Sequence, residues 1–311
     1  MEKEKRMKQM KISEANQNPE TKLIRFDKEK YLKICFFIIL FCISYLIFFD
    51  PYIGVANNGD FQRFSCKFGV DYPYDPWVAE RYNDSFFHSV INDFKIIQPV
   101  SNTGFFSSYE LIGWLSRALC GIFSKSGLYD LRFMGAACLI FYLLACGLLF
   151  YAMRNQSKPA IILMGALAVI LSADPYMVQY FNSFYSEMGM IIPMISFFAF
   201  YLLFKTKCKK RWLILQIISA ILAATAKPQN MLVIIPLLVL ISLELYNAYF
   251  FRLQVSRFKY IFLNLMLVFF IAAVTCTGEI LTNPGTNVSI YNIIIRDMLP
   301  ASNRPMDQLK K

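Results

Sequence analysis

Residues 32–49 read LKICFFIILFCISYLIFF, and residues 133–152 read FMGAACLIFYLLACGLLFYA. Each is apolar over about the length that a helix needs to cross a hydrocarbon core roughly 30 Å thick. Further apolar runs follow at 160–173, 188–204, 212–226, 230–246 and 260–277. One run would read as an anchor, whereas this series makes the bilayer the solvent for most of the fold. In hydrocarbon each backbone N–H and C=O must be satisfied inside its own segment or a closed barrel, and runs of this length satisfy them as helices. The predicted fold class is all-α: a polytopic membrane protein of about seven transmembrane helices.

Composition agrees with this reading. Of the 311 residues 57% are hydrophobic and only 17% are charged, against about 25% charged in a typical soluble domain. The formal charge of +11 raises nucleic acid as a partner and then removes it, because the basic residues sit in short segments between apolar runs, where they set topology. The lipid bilayer is the partner that the composition requires. The cysteines form no C-x-x-C motif; Cys35, Cys42, Cys138 and Cys146 lie inside apolar runs and read as small hydrophobes, whereas Cys66 and Cys120 lie in one loop and could pair. The first apolar run lacks a small-residue cleavage site after it, so it reads as a retained span rather than a signal peptide.

Charge gives the orientation. Arg154 and Lys158 follow the second run; Lys205, Lys207, Lys209, Lys210 and Arg211 follow the fourth; Arg252, Arg257 and Lys259 follow the sixth. These loops hold no acid, and the alternate loops 174–187 and 227–229 hold only Lys227 as a base. The positive-inside rule places the basic loops and residues 1–31, a basic tail, in the cytoplasm. The module 32–278 then carries its long loop 51–130 outside, with the segment 279–311 outside as well. The predicted localisation is a multi-pass cell-membrane protein with a cytoplasmic N-terminus and an outer C-terminus. The long loop is rich in Phe, Tyr and Trp, which argues against disorder. Within it Tyr109–Phe123 (YELIGWLSRALCGIF) is amphipathic, with Leu111, Trp114, Leu115, Ala118 and Leu119 able to share a face, and reads as an interfacial helix.

Polar residues near the predicted outer surface mark where chemistry can sit. Asn57-Asn58-Gly59-Asp60-Phe61-Gln62-Arg63 follows the first span. Asp60 there can act as a general base or help hold a divalent cation such as Mg2+ or Mn2+, and Arg63 can pair a phosphate. The plainer reading is an Asx-Gly turn capping a helix that starts at Phe61. Asn182-Ser183-Phe184-Tyr185-Ser186-Glu187 precedes the fourth span; Asn182, Tyr185 and Glu187 suit a sugar, while Glu187 alone equally suits a helix N-terminus. Lys227-Pro228-Gln229-Asn230 forms a tight turn, and Lys227 either snorkels to headgroups or holds a lipid phosphate, with Gln229 and Asn230 beside it. Arg81, His88, Arg117 and Arg132 are a diffuse set. His88 is the only histidine, which sets aside a histidine-based metal site or triad. The strings Phe105–Glu110 (FFSSYE) and Phe181–Glu187 (FNSFYSE) look alike, but no repeat of fixed period is present.

The strings FDPYIGVANNGDFQR (49–63), YFNSFYSE (180–187) and AKPQN (226–230), in this order of tail, span, large loop and short-looped spans, resemble the C-type (GT-C) membrane glycosyltransferases. The likeness covers roughly residues 32–300, and the strings look like those of bacterial hexose transferases of surface-glycan biosynthesis. It implies a polyprenyl-phosphate sugar donor, a glycan or glycolipid acceptor, and transfer on the outer face. It places the catalytic carboxylate at Asp60. The chemistry of their side chains, rather than a family motif, makes Asn58, Arg63, Asn182, Tyr185, Glu187, Lys227, Gln229 and Asn230 the expected substrate-binding residues. Many such enzymes follow the first acid with a second; here Phe61 stands in that place, so no cofactor is required by the motif and a cation remains only an option. Members also carry more spans or a soluble domain after the seven-span module, so 279–311 is expected to begin a further region. A lipid-linked-glycan transporter or flippase, and a non-catalytic partial transferase, are the alternative readings.

Overall fold

The computed structural model describes residues 27–57, 61–74, 90–100, 107–124 and 126–248. Helix α1 spans Lys28–Phe48. It starts four residues before the apolar run because the Asp27 carboxylate accepts the N–H groups of Glu29 and Lys30, at 3.0 and 3.1 Å. Leu32, Cys35, Ile39, Ile43 and Ile47 form its buried stripe, at the three- and four-residue spacing of one helix face. Phe37 and Phe41, on the other side, are 65% and 70% exposed. A helix that is apolar all round yet buried on one side only is suited to a face against lipid.

After a short helix α2 (Phe61–Ser65) and a 3-10 turn come strands β1 (Val70–Asp71) and β2 (Asp93–Ile96), helix α3 (Glu110–Phe123) and strand β3 (Leu128–Asp130). Helices α4 (Arg132–Met153), α5 (Lys158–Ala173), α6 (Pro175–Val178), α7 (Glu187–Lys207), α8 (Lys210–Ala224) and α9 (Ile234–Ala248) follow, with a 3-10 turn at Pro228–Val233 before the last. Among the described residues α1, α4 and α7 are long and apolar enough to cross a membrane, and α5 and Ile234–Glu244 are shorter apolar helices. The 21 residues of α1 extend about 31 Å at 1.5 Å per residue. The expected span at 260–277, the basic tail and the segment 279–311 lie outside the described residues.

Helix α4 is the centre of the bundle. It packs against α1, α3 and α7, and Gly135, Ala137, Cys138, Ala145 and Cys146 on its buried faces let neighbouring backbones approach. Helix α7 pairs in turn with α8. The turns fix which ends lie together. Lys28 Nζ donates to the Gln156 carbonyl at 2.6 Å, and Lys207 Nζ to the Tyr151 hydroxyl at 3.0 Å. One end of the bundle therefore gathers Lys28, Lys33, Arg154, Lys158, Lys207 and Arg211. The opposite end holds the loop segments, the 174–186 connection and the α8–α9 turn.

Two expectations about the loop are corrected. It is not purely helical: β1, β2 and β3 form a three-stranded antiparallel sheet, with Asp71 opposite Lys95 and Phe94 opposite Tyr129. The sheet inserts Phe94 and Tyr129, both fully buried, into an aromatic core shared with the bundle. Cys66 and Cys120 are both buried and both free thiols. The amphipathic segment does form a helix, and its apolar face is divided: Leu115 and Leu119 pack against the core, while the rest turns outward. Leu111, Trp114, Ile122 and Phe123 are exposed, while Ile112, Gly113, Ser116 and Cys120 pack inward, the arrangement an interfacial helix requires.

Candidate functional site

The end of the bundle opposite the basic loops brings together three segments distant in sequence. The first follows α1. Its helix stops before Pro51, and a proline has no N–H to give the Ile47 carbonyl one turn back. The Asn182 side chain supplies the missing donor: Nδ2 donates to the Ile47 carbonyl at 3.0 Å and to the Ile53 carbonyl at 2.9 Å. Asn182 is 1% exposed, and a Cβ on Gly135 would collide with its Oδ1. Asn182, a residue expected to bind substrate, is in this structure a buried brace that caps α1 from another segment.

Downstream, the Asn57 side chain caps α2, its Oδ1 accepting the Phe61 N–H at 3.1 Å. The first asparagine of the Asn-Asn-Gly-Asp string thus supplies one acceptor at the start of α2. Asp60 and Asn58 lie outside the described residues. Phe61, the next residue in the chain after Asp60, is buried, with its ring 5.2 Å from that of Phe184 and 5.0 Å from that of Tyr185. The α2 segment and the 182–187 segment thus meet through aromatic contacts. Arg63 lies on α2, half-buried. The position where a second acid would stand holds a buried Phe, and no three His, Cys, Asp or Glu side chains come together as a metal site among the described residues.

Glu187 is the first residue of α7, and its Oε1 accepts from Lys227 Nζ at 2.9 Å. Both side chains are about 30% exposed, 31% for Glu187 and 30% for Lys227, while Glu187 Oε2 is buried without a hydrogen-bond partner. The pair ties the second segment to the third, the turn between α8 and α9. In that turn Gln229 is exposed, and Asn230 is half-buried with its backbone N–H on the Lys227 carbonyl at 2.9 Å. Tyr185 is half-buried beside Phe61.

A fourth strand of the site was missed in the sequence. Ser107 Oγ donates to the Ala226 carbonyl and Ser108 Oγ to the Leu222 carbonyl, each at 2.6 Å. The Glu110 carboxylate accepts from the Ser107 N–H at 3.2 Å and from Lys67 Nζ at 2.7 Å. The string FFSSYE thus straps the end of α8 one residue from Lys227, and FNSFYSE contributes Glu187 to the same end. Their likeness was the available signal, and each brings a glutamate that pairs with a lysine. Tyr109, between these groups, is fully buried, with its hydroxyl 3.1 Å from Cys138 Sγ and its ring stacked on Phe64 at 5.0 Å. Burial above all, then the Cys138 thiol, pushes the Tyr109 phenol well above its ordinary range. Burial does the same to Tyr72. Both phenols stay neutral and serve as packing groups rather than proton-transfer groups.

Of the diffuse set, Arg132 is paired with Asp130 at 2.6 Å and Arg117 is half-buried on α3; Arg81 and His88 lie outside the described residues. Among the described residues the assembled end thus offers Lys227, held beside a carboxylate at a half-exposed surface. Such a cation can exchange its partner for an anionic ligand at low cost, because a pair this exposed is worth only about 0–1 kcal/mol.

The family model described as the YfdI N-terminal transmembrane domain matches residues 17–311. No curated protein and no solved structure matches the chain.

Proposed function

The chain belongs to the family of YfdI N-terminal transmembrane domains, and on that footing we propose that it is a membrane glycosyltransferase of the C type. It moves a hexose from a polyprenyl-phosphate donor to a surface glycan or glycolipid acceptor on the outer face. The observation that carries the reading is the Glu187–Lys227 pair at 2.9 Å, at the same bundle end as the α2 segment that Asp60 precedes in the chain. The resemblance of the sequence to that enzyme class points independently to the same end. The basic residues gathered at the opposite end support placing the site outside.

In this mechanism the Asp60 carboxylate takes the proton of an acceptor hydroxyl. The hydroxyl oxygen attacks the anomeric carbon of the donor sugar, forming the new glycosidic bond. The bond from that carbon to the phosphate oxygen breaks, and the polyprenyl phosphate departs with the electron pair, inverting the anomeric centre. Lys227 shifts from Glu187 toward the leaving phosphate and offsets its charge, with Arg63 as a second cation. Glu187, Tyr185, Gln229 and Asn230 hold sugar hydroxyls. No step requires a metal.

A transporter is the second reading, and Gln216 favours it: the side chain is fully buried in α8 with neither polar atom hydrogen-bonded, and buried polar groups in spans often mark pathways. The test is sugar transfer from a panel of polyprenyl-phosphate hexoses by membranes holding the full protein. Transfer supports the enzyme, whereas sugar or lipid flux in liposomes without transfer supports the transporter.

A further inference from the structure

A groove of about 410 Å3 runs between α1 and α4 at the basic end of the bundle, within the roughly 300–1,000 Å3 range of ligand sites. Its walls are apolar, formed by Phe36, Phe37 and Phe150, and its floor opens at Gly147. A Cβ on Gly147 would only touch Phe36, at 3.5 Å, so the missing side chain is what leaves the space. Phe37 is 65% exposed, and the groove therefore opens sideways, where hydrocarbon surrounds a spanning bundle.

The mouth differs from the walls. Lys33 and Arg154 line it, and Lys207 stands beside it. The Arg154 guanidinium lies 4.3 Å from the centre of the Tyr151 ring, and Lys207 Nζ lies 4.8 Å from the same centre. Two cations on one ring repel each other. Lys33, Arg154 and Lys207 form no ion pair among the described residues. Glu29, the one acid at the mouth, stands one turn from Lys33 on α1 without pairing to it. An apolar slot open to hydrocarbon, ending at cations that form no ion pair among the described residues, is complementary to a molecule with an acyl tail and an anionic head.

We propose that this groove is a binding site for an anionic phospholipid, with one acyl chain between α1 and α4 and its phosphate among Lys33, Arg154 and Lys207. Basic pockets between spanning helices at the cytoplasmic surface bind such headgroups. The site is separate from the Lys227 end and does not depend on the transferase reading.

The test uses the delipidated full chain in detergent, with phosphatidylglycerol or phosphatidylcholine added and retention read by native mass spectrometry. Phosphatidylglycerol should be retained preferentially. Lys33→Gln with Arg154→Gln, both exposed side chains whose loss the fold tolerates, should weaken phosphatidylglycerol retention about tenfold or more. Lys209→Gln with Lys210→Gln, exposed at the same end but outside the groove, should leave it unchanged. Gly147→Leu fills the slot and should reduce retention of phosphatidylglycerol without altering charge. Equal retention of both lipids, equal losses in the two lysine-containing double variants, or preferential displacement by polyprenyl phosphate would each overturn the proposal.

Discussion

Replacing Asn182 separates its role as a brace from a role in binding sugar. In Asn182→Ala the carbonyls of Ile47 and Ile53 lose donors now at 3.0 and 2.9 Å. The Ile47 carbonyl has no helical replacement, because the residue one turn on is Pro51. A buried acceptor left unpaired costs about 1–3 kcal/mol, and two such groups give about 2–6 kcal/mol. Water reaching this end of the bundle moves the value toward the lower figure, about 2 kcal/mol. Asn182→Asp keeps the shape but sets a carboxylate oxygen against each carbonyl, so it should destabilise more than Asn182→Ala. The assay is denaturant unfolding of the purified protein in detergent, alongside sugar transfer at a temperature where each variant stays folded. The brace predicts lost stability with transfer largely retained per folded molecule. Asn182→Ala that unfolds within about 0.5 kcal/mol of wild type, a surface-like value, yet loses transfer would refute the reasoning and restore Asn182 to the substrate site.

Three further outcomes follow from the geometry. Gly135→Ala drives a Cβ into Asn182 Oδ1 and should destabilise the protein in the same unfolding assay, by about 1–3 kcal/mol. Lys227→Gln should lower the rate of sugar transfer about 100-fold if the cation stabilises the leaving phosphate, while costing no more than about 1 kcal/mol of stability, since its pair with Glu187 is partly exposed; comparing the transfer rate and unfolding of this variant with wild type separates the two effects. Burial, reinforced by the Asp71 carboxylate, pushes the Cys66 thiol from 9.0 up to about 11. A folded-state value raised above the unfolded one gives stability that is intact below about pH 9 and is lost as pH rises toward about 11. Maleimide mass labelling near pH 7 should therefore spare Cys66 while modifying the partly exposed Cys208.

The three long apolar helices α1, α4 and α7 were readable because hydrophobic length is a local property. The runs at 32–49 and 133–152 became α1 and α4 with only small changes at their ends; at α1 the change came from a cap, since Asp27 draws the helix forward by its bonds to Glu29 and Lys30. The amphipathic period of 109–123 was enough to find α3. Strands of two to four residues carry too short a pattern to register, so the sheet was missed even though it supplies Phe94 and Tyr129 to the core. The candidate site was legible as three polar strings, and the fold brings Phe61 to Tyr185 and Lys227 to Glu187. What the sequence did not give away were long-range bonds to backbone. Asn182 on Ile47 and Ile53, and Ser107 on Ala226, depend on which segments the bundle brings together, and nothing in the residues themselves announces those partners.

The central claim rests on Asp60 and is tested most directly by radiolabelled sugar transfer. Membranes carrying equal amounts of folded wild-type and Asp60→Asn protein would be given the same polyprenyl-phosphate hexoses. The account predicts transfer by wild type and a loss of about 100-fold or more in Asp60→Asn, as removal of a general base requires. Equal transfer by the two proteins would contradict it.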